Sequence, residues 1–258
     1  MQCKQDRHYH AALTLIKNQF LTKSDIAQLG FESIREARLT YYRRSKVLFD
    51  TGFEKDSLAI AHGALLLTLY TPLDDPVAHT YWLSIAIQHA RRVHAFDIDA
   101  RATARPERAC RLQRLWWCCI IRDRSISLGL RRPMQIPASA VRAVPFLALD
   151  SFFGLSASSE LAAPSIQRIL IKEFNRYCAL SVRLSDVLEI LYPLWEPFPS
   201  TLPSKLSWNE RYTRLCAAEQ RLQRWATQAS LKDEDTLRVS AATKSIFVLR
   251  KLSDMYYQ

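Results

Sequence analysis

The five glycines of this 258-residue chain, at positions 30, 52, 63, 129 and 154, never lie closer together than 11 positions. Average usage would supply about 18. Neither a G-x-G-x-x-G turn nor a Walker loop can be built from such a set, because both need glycines a few residues apart to wrap backbone around a phosphate. Nucleotide cradling by a glycine-rich loop is excluded.

Other residues punctuate the chain, and they punctuate helices. Ser33-Ile34-Arg35-Glu36 reads as a capping box opening a helix towards Leu48, and Ser207-Trp208-Asn209-Glu210 repeats the device for a helix to about Gln228. Asp56 caps the apolar run 58–70, whose Leu65-Leu66-Leu67 is apolar nearly all round, the mark of an element buried on several sides at the centre of the core. Asp75-Pro76 joins an N-cap carboxylate to a proline at the first helical position. The helix it opens runs to about His94, with Trp82, Ile85, Ala86, His89 and Val93 on one face. From Pro106, Leu112, Leu115, Trp116, Cys119 and Ile120 follow the i, i+3, i+4, i+7, i+8 rule of an amphipathic helix, which Gly129 and Pro133 stop after Leu128. Residues 131–163 read as an irregular connection with one short turn. A long helix follows from Pro164 to Pro193, then a proline-rich loop, the 207–228 helix and a last one from about Asp235. Eight or nine helices without a credible hairpin predict an all-α fold, taken as a single domain over 1–258.

The formal charge is +11. Nine arginines (101, 105, 108, 111, 114, 122, 124, 131, 132) stand against Glu107 and Asp123 in residues 101–132, so an acidic partner, nucleic acid included, must be weighed. Arginines interleaved with Leu-Trp-Trp at helical spacing read better as the solvated flank of a packed helix, and no helix-turn-helix or zinc-finger spacing supports groove insertion. The first ten residues lack an apolar signal region, and the longest nearly uncharged apolar stretch, 13 residues, is too short to cross a membrane. The six cysteines (3, 110, 118, 119, 178, 216) contain no C-x-x-C pair, which argues against a disulfide framework or a zinc site and for buried reduced thiols, Cys118 and Cys119 filling the core. No metal or cofactor is expected. His89, without a second ligand at four-residue spacing, reads as a hydrogen-bonded core residue.

Asp123 is the odd residue of the Trp-Trp helix. It falls 4 positions after Cys119 and 11 after Leu112, inside the apolar stripe. A buried carboxylate needs a partner. Asp123 is therefore expected to pair with an arginine, Arg132 or Arg92 being near candidates, or to accept backbone amides, as a structural staple.

Residues 81–92, YWLSIAIQHARR, and 111–133, RLQRLWWCCIIRDRSISLGLRRP, resemble the middle homology region of fungal zinc-cluster transcription factors. There a Tyr-Trp helix ending near A-x-x-L-G-L precedes R-R-x-W-W, an x-D-R turn and x-x-G-R-P. The residues of this chain that match are Trp82, Arg114, Trp116, Trp117, Asp123, Arg124, Gly129, Arg132 and Pro133. Val93-His94-Ala95-Phe96 departs, standing where the family has its leucine-glycine turn. Residues 42–56 and 145–152 are most similar to the subset that activates cutinase genes, and the match is best over 13–153.

The resemblance implies an all-helical regulatory domain of a nuclear transcription regulator, without catalytic residues. Such a domain controls a metabolic or secondary-metabolite gene set through other regulator subunits, self-association or a small effector, touching DNA only indirectly or weakly. The family's DNA-binding module needs six cysteines within about thirty residues. Here 107 positions separate the first cysteine from the second, so the chain is expected to be a regulatory domain without that module. Two other classes compete: an all-α enzyme, for which Asp74-Asp75 lacks the further carboxylates that paired Mg²⁺ requires, and a direct nucleic-acid binder through the 101–132 arginines. The run 58–72 is a place where an effector pocket could form between helices.

Overall fold

A computed structural model of the chain describes residues 27–72, 75–97, 99–100, 103–148, 164–193 and 207–231. All regular structure among them is helical, in seven helices: α1 (Ile34–Asp50), α2 (Ser57–Leu67), α3 (Ala78–Arg92), α4 (Pro106–Leu130), α5 (Ala138–Arg142), α6 (Pro164–Leu191) and α7 (Trp208–Leu231). The all-α expectation holds. The helix expected from Asp235, like Asp74, Arg101, Cys3 and residues 149–163, lies outside the described residues.

Local chemistry opens these helices much as the sequence predicts. Ser33 Oγ accepts the Glu36 N–H at 3.1 Å, while Glu36 Oε2 reaches past Ser33 to the Glu32 N–H at 2.9 Å. Ser207 and Glu210 form the full reciprocal box: Glu210 N–H donates to Ser207 Oγ at 3.2 Å and Ser207 N–H to Glu210 Oε2 at 2.7 Å. Asp56 accepts the amides of Leu58 and Ala59. Asp75 differs from expectation. A tight turn through Pro76 and Val77, closed by Ala78 N–H on the Asp75 carbonyl at 3.2 Å, delays α3 to Ala78, which starts without a side-chain cap.

The closing turns hold a repeated device. After α1, Phe53 N–H bonds the Leu48 carbonyl and Gly52 N–H that of Phe49, with Gly52 at φ 60°. This is a Schellman motif, whose pivot residue must be left-handed. After α3 the same two bonds form (Ala95 to Ala90, His94 to Arg91) around His94 at φ 57°, and after α4 (Arg132 to Ser127, Arg131 to Leu128) around Arg131 at φ 51°. Gly129 is therefore not the stop: it lies inside α4, and Arg131 makes the turn. In the resemblance, A-x-x-L-G-L puts its glycine at His94, so this chain carries an ordinary side chain where the backbone favours glycine, as it also does at Arg131.

The described chain divides into two compact units, residues 1–122 and 123–258, with the division inside α4. In the first, α2 packs on α3 and α1 on α2. Its core holds Trp82, Leu83, Leu112, Leu115, Trp116, Trp117, Cys119 and Ile120. Leu115, Trp116 and Trp117 are consecutive and all buried, so α4 is covered on several sides at this level rather than along one stripe. By contrast, Leu65 and Leu66 of α2 are half-buried. Trp82 meets Tyr42 and Phe49 edge-on at 6.3 and 5.3 Å, and Arg38 lies 4.9 Å over the ring of Tyr70.

In the second unit α6 packs against α5 and α7. Asp186 of α6 receives Arg142 of α5 at 3.0 Å and Arg221 of α7 at 3.3 Å. Arg176 and Arg183, two turns apart on α6, flank Trp225 of α7 at 5.8 and 5.9 Å. Asn175 holds the extended residue Leu147 by both its amide and carbonyl, at 2.9 Å each.

Candidate functional site

The centre of the family-like motif is Asp123, fully buried on α4 at the start of the second unit. Its Oδ1 accepts the Gln135 N–H at 3.0 Å and its Oδ2 the Ile136 N–H at 2.9 Å. Oδ2 also takes Nη1 of Arg124, whose side chain is fully buried too. One turn on, the Ser127 hydroxyl stands 3.5 Å from Asp123 Oδ1 and 3.3 Å from the Pro133 carbonyl. The carboxylate thus ties the chain just past Pro133 back onto the helix it has left. That tie seats Met134 and Ala138 against Leu188, with Leu128, Leu184 and Tyr192 around them.

Helical phase places the carboxylate in the core, as expected, and it has both kinds of partner, an arginine and backbone amides. The arginine is the adjacent Arg124, not Arg132 or Arg92. Residues i and i+1 point about 100° apart on a helix, but a long guanidinium stem can return to its neighbour when its other side is anchored. Here that anchor is α6: Arg124 Nε donates to Ser185 Oγ at 2.8 Å, and Ser185 Oγ donates to the Ser181 carbonyl at 2.7 Å. Ser181 and Ser185 escaped the sequence reading. Their signal was two small polar residues one turn apart on a face otherwise apolar. Burial lowers the pKa of Arg124 from the usual arginine value, against the opposing pull of Asp123.

The other motif residues are also built into the scaffold. Trp82 and Trp117 are fully covered and Trp116 is 2% exposed. Arg114 is half-buried, its pKa lowered first by burial. Arg132 is half-buried, its pKa lowered by burial and raised in part by Asp123. Pro133 is exposed and blocks continuation of α4. In the first unit Arg122 Nε and Nη2 donate to Oγ1 and the carbonyl of Thr68 at 2.9 and 2.6 Å, closing the end of α2. Of the nine arginines in 101–132, Arg105, Arg108, Arg111 and Arg131 are exposed among the described residues, and the rest of those described are drawn into packing.

His89 is half-buried, and its Nδ1 finds no hydrogen-bond partner among the described residues, unlike the bonded core histidine expected. Cys119 and Cys178 are buried and Cys110, Cys118 and Cys216 half-buried, all as free thiols. Among the described residues no three His, Cys, Asp or Glu side chains gather to hold a metal, and no helix is long and apolar enough to cross a membrane.

Residues 14–216 match the family described as fungal specific transcription factor domain. The chain is 35% identical over 144 residues to a transcription factor of Fusarium pseudograminearum, covering 55% of this chain and 15% of that protein. It is 27% identical over 128 residues to cutinase transcription factor 1 beta of Fusarium vanettenii, covering 49% and 14%. It is 28% identical over 260 residues to transcription factor cpaR of Aspergillus oryzae, covering 92% and 42%. The chain therefore spans less than half the length of each of these relatives. No solved structure matches it.

Proposed function

The chain belongs to the fungal specific transcription factor domain family, and from that premise we propose that it is the regulatory, non-catalytic part of a nuclear transcription regulator. It acts on a metabolic or secondary-metabolite gene set, by engaging other regulator subunits, a second copy of itself or a small effector. We read its two units as parts of one regulatory domain.

The observation that carries this reading is the burial of the Asp123–Arg124 pair. Residues that would have to face a substrate or a phosphate in an enzyme or a DNA-binding stripe are spent here on holding α4, α6 and the 133–136 segment together. A protein of this kind works by presenting surfaces, and its specificity lies in what docks there.

The test is a reporter measurement. The full chain is fused to an unrelated DNA-binding domain and expressed with the cognate reporter in a fungal host, alongside a fluorescent fusion for localisation. The expected result is nuclear signal and reporter output that differs from that of the DNA-binding domain alone. Cytosolic signal with unchanged output would contradict the proposal.

A further inference from the structure

Residues 144–148 leave α5 as an extended strap. Val144 N–H closes α5 on the Val141 carbonyl at 3.1 Å, and Pro145 then fixes its own φ and keeps Val144 out of helical angles, so covalent chemistry alone straightens the chain. Val144 and Leu147 are buried, while Pro145, Phe146 and Ala148 are exposed. A spacing of three is the period of the polyproline II helix, which sets every third side chain on one side and leaves the backbone groups without partners inside the segment.

Asn175 of α6 supplies the partners of Leu147. Its Oδ1 accepts the Leu147 N–H and its Nδ2 donates to the Leu147 carbonyl, both at 2.9 Å and across 28 positions of sequence. A carboxamide offers an acceptor and a donor side by side, so it takes the place that a residue of a neighbouring strand would take, and it grips main chain whatever the side chain. Asparagine is a poor residue for a helix interior, because its side chain competes for nearby backbone. Here that side chain is committed to a segment outside its own helix. Ile171 and Cys178, one turn before and after Asn175 on the same face of α6, are buried, so apolar residues flank the clamp on both sides.

A main-chain clamp, two apolar anchors and a backbone preset by proline are the parts of a peptide complex, and none of them depends on the covalent link between strap and helix. We infer that the face of α6 around Asn175 is a peptide-binding site, filled here by residues 144–147 of the same chain, and that an extended segment of a partner protein with the pattern apolar-Pro-x-Leu takes the same place by exchange. The inference rests on the reading that the chain acts through partners, and it names what such a partner presents. Tethering gives the strap an effective concentration on the order of millimolar, so it holds the site until a partner segment binds better or is in excess.

The experiment is a fluorescence anisotropy titration of the full chain with a labelled, end-blocked peptide of residues 142–148, RAVPFLA. It compares the natural chain with Leu147→Pro, which removes the N–H that Asn175 accepts, and with Leu147→Ala, which shortens the anchor. With its internal occupant released, Leu147→Pro should bind the peptide at least about tenfold more tightly than the natural chain, and Leu147→Ala should fall between the two. Adding Asn175→Leu to either variant, or N-methylating the leucine of the peptide, should weaken binding about tenfold or more. Far-UV circular dichroism checks that each variant keeps its helices. Hydrogen exchange of the natural chain needs no variant: peptide at millimolar concentration should speed exchange within 144–148. Equal affinity for the natural chain and the strap variants overturns the inference, and so does binding indifferent to Asn175→Leu or to N-methylation. Absence of binding to strap variants that keep their helices, or strap exchange unmoved by the peptide, overturns it too. If the reporter responds and the peptide does not bind, this site is wrong and the regulatory reading stands. An inert reporter, with peptide binding that depends on Asn175, supports the site and counts against the regulatory reading.

Discussion

The indole N–H of Trp82 donates to the hydroxyl of Tyr42 at 3.1 Å, a fully internal bond between residues 40 positions apart. It ties α1 to α3 through the side chain that the Tyr-Trp element of the family resemblance singled out. Tyr42→Phe keeps the ring and strands the indole donor, a loss of about 1–2 kcal/mol. Trp82→Phe also leaves a void among Tyr42, Phe49 and the core, and is expected to cost more, about 2–4 kcal/mol. The double variant should lose less than the two singles together, because both remove one bond. Chemical denaturation of the four proteins measures all three quantities.

The left-handed pivots make a prediction of opposite sign. His94 and Arg131 hold φ 57° and 51° with side chains that disfavour that conformation, while Gly52 serves the same turn at φ 60°. His94→Gly and Arg131→Gly should each stabilise the protein by about 0.5–1 kcal/mol, the relief of strain exceeding the extra freedom glycine gives the unfolded chain. Gly52→Ala should destabilise it by a similar amount, although no atom lies within 4 Å of where its Cβ would stand. Thermal unfolding of the three variants decides the matter. A destabilised His94→Gly would refute this explanation of the turn.

His62 sets a pH dependence. Its Nδ1–H donates to the Leu58 carbonyl at 2.8 Å. Its pKa is lowered from 6.5, first by burial and then by Arg114 and Arg111, with the bond to Leu58 acting in the opposite direction. The folded protein therefore keeps this ring neutral where the unfolded chain has begun to protonate. Stability should fall as pH drops below about 6.5, by at most about 1.4 kcal/mol per pH unit from this group. Unfolding curves between pH 7.5 and 5 should be flatter for His62→Gln. Parallel curves would remove His62 from the explanation.

Cys118 should be the slow thiol. Burial pushes its pKa up to about 11, opposed by Arg114. At pH 8 only about one part in a thousand is then thiolate, the reactive form. Mass spectrometry after iodoacetamide treatment of the native protein should find Cys118 unmodified while it alkylates fully in denaturant. Rapid native labelling at pH 8 would contradict the raised pKa of this thiol.

What was legible in the sequence was chiefly local. The boxes at Ser33 and Ser207 and the cap at Asp56 depend on residues at most four positions apart, so their chemistry is complete within about one turn of chain. Asp123 was legible as a buried carboxylate because helical phase alone puts it among Leu112, Trp116 and Cys119. Its arginine was not, since Arg124 turns back on Asp123 only because Ser185, 61 positions on, anchors its other side. Gly129 misled for a related reason. Glycine is the commonest helix stop, but the turn is made two residues later, where Pro133 and the Asp123 bonds to 135 and 136 dictate the path. The arginine-rich stretch read as one basic cluster became several separate roles once Arg122 and Arg124 were found bonded inside.

The buried staple is where the scaffold is most vulnerable to a single change. Asp123→Asn keeps shape and removes the charge that Arg124 faces inside the protein, and breaking a buried pair from one side costs about 3–5 kcal/mol. In a chain of this size that corresponds to a fall in melting temperature of roughly 6–15 °C. The decisive measurement is the thermal unfolding of Asp123→Asn beside the natural chain. A fall of that order is the predicted result, and an unchanged melting temperature would contradict the claim that these motif residues exist to hold the scaffold together.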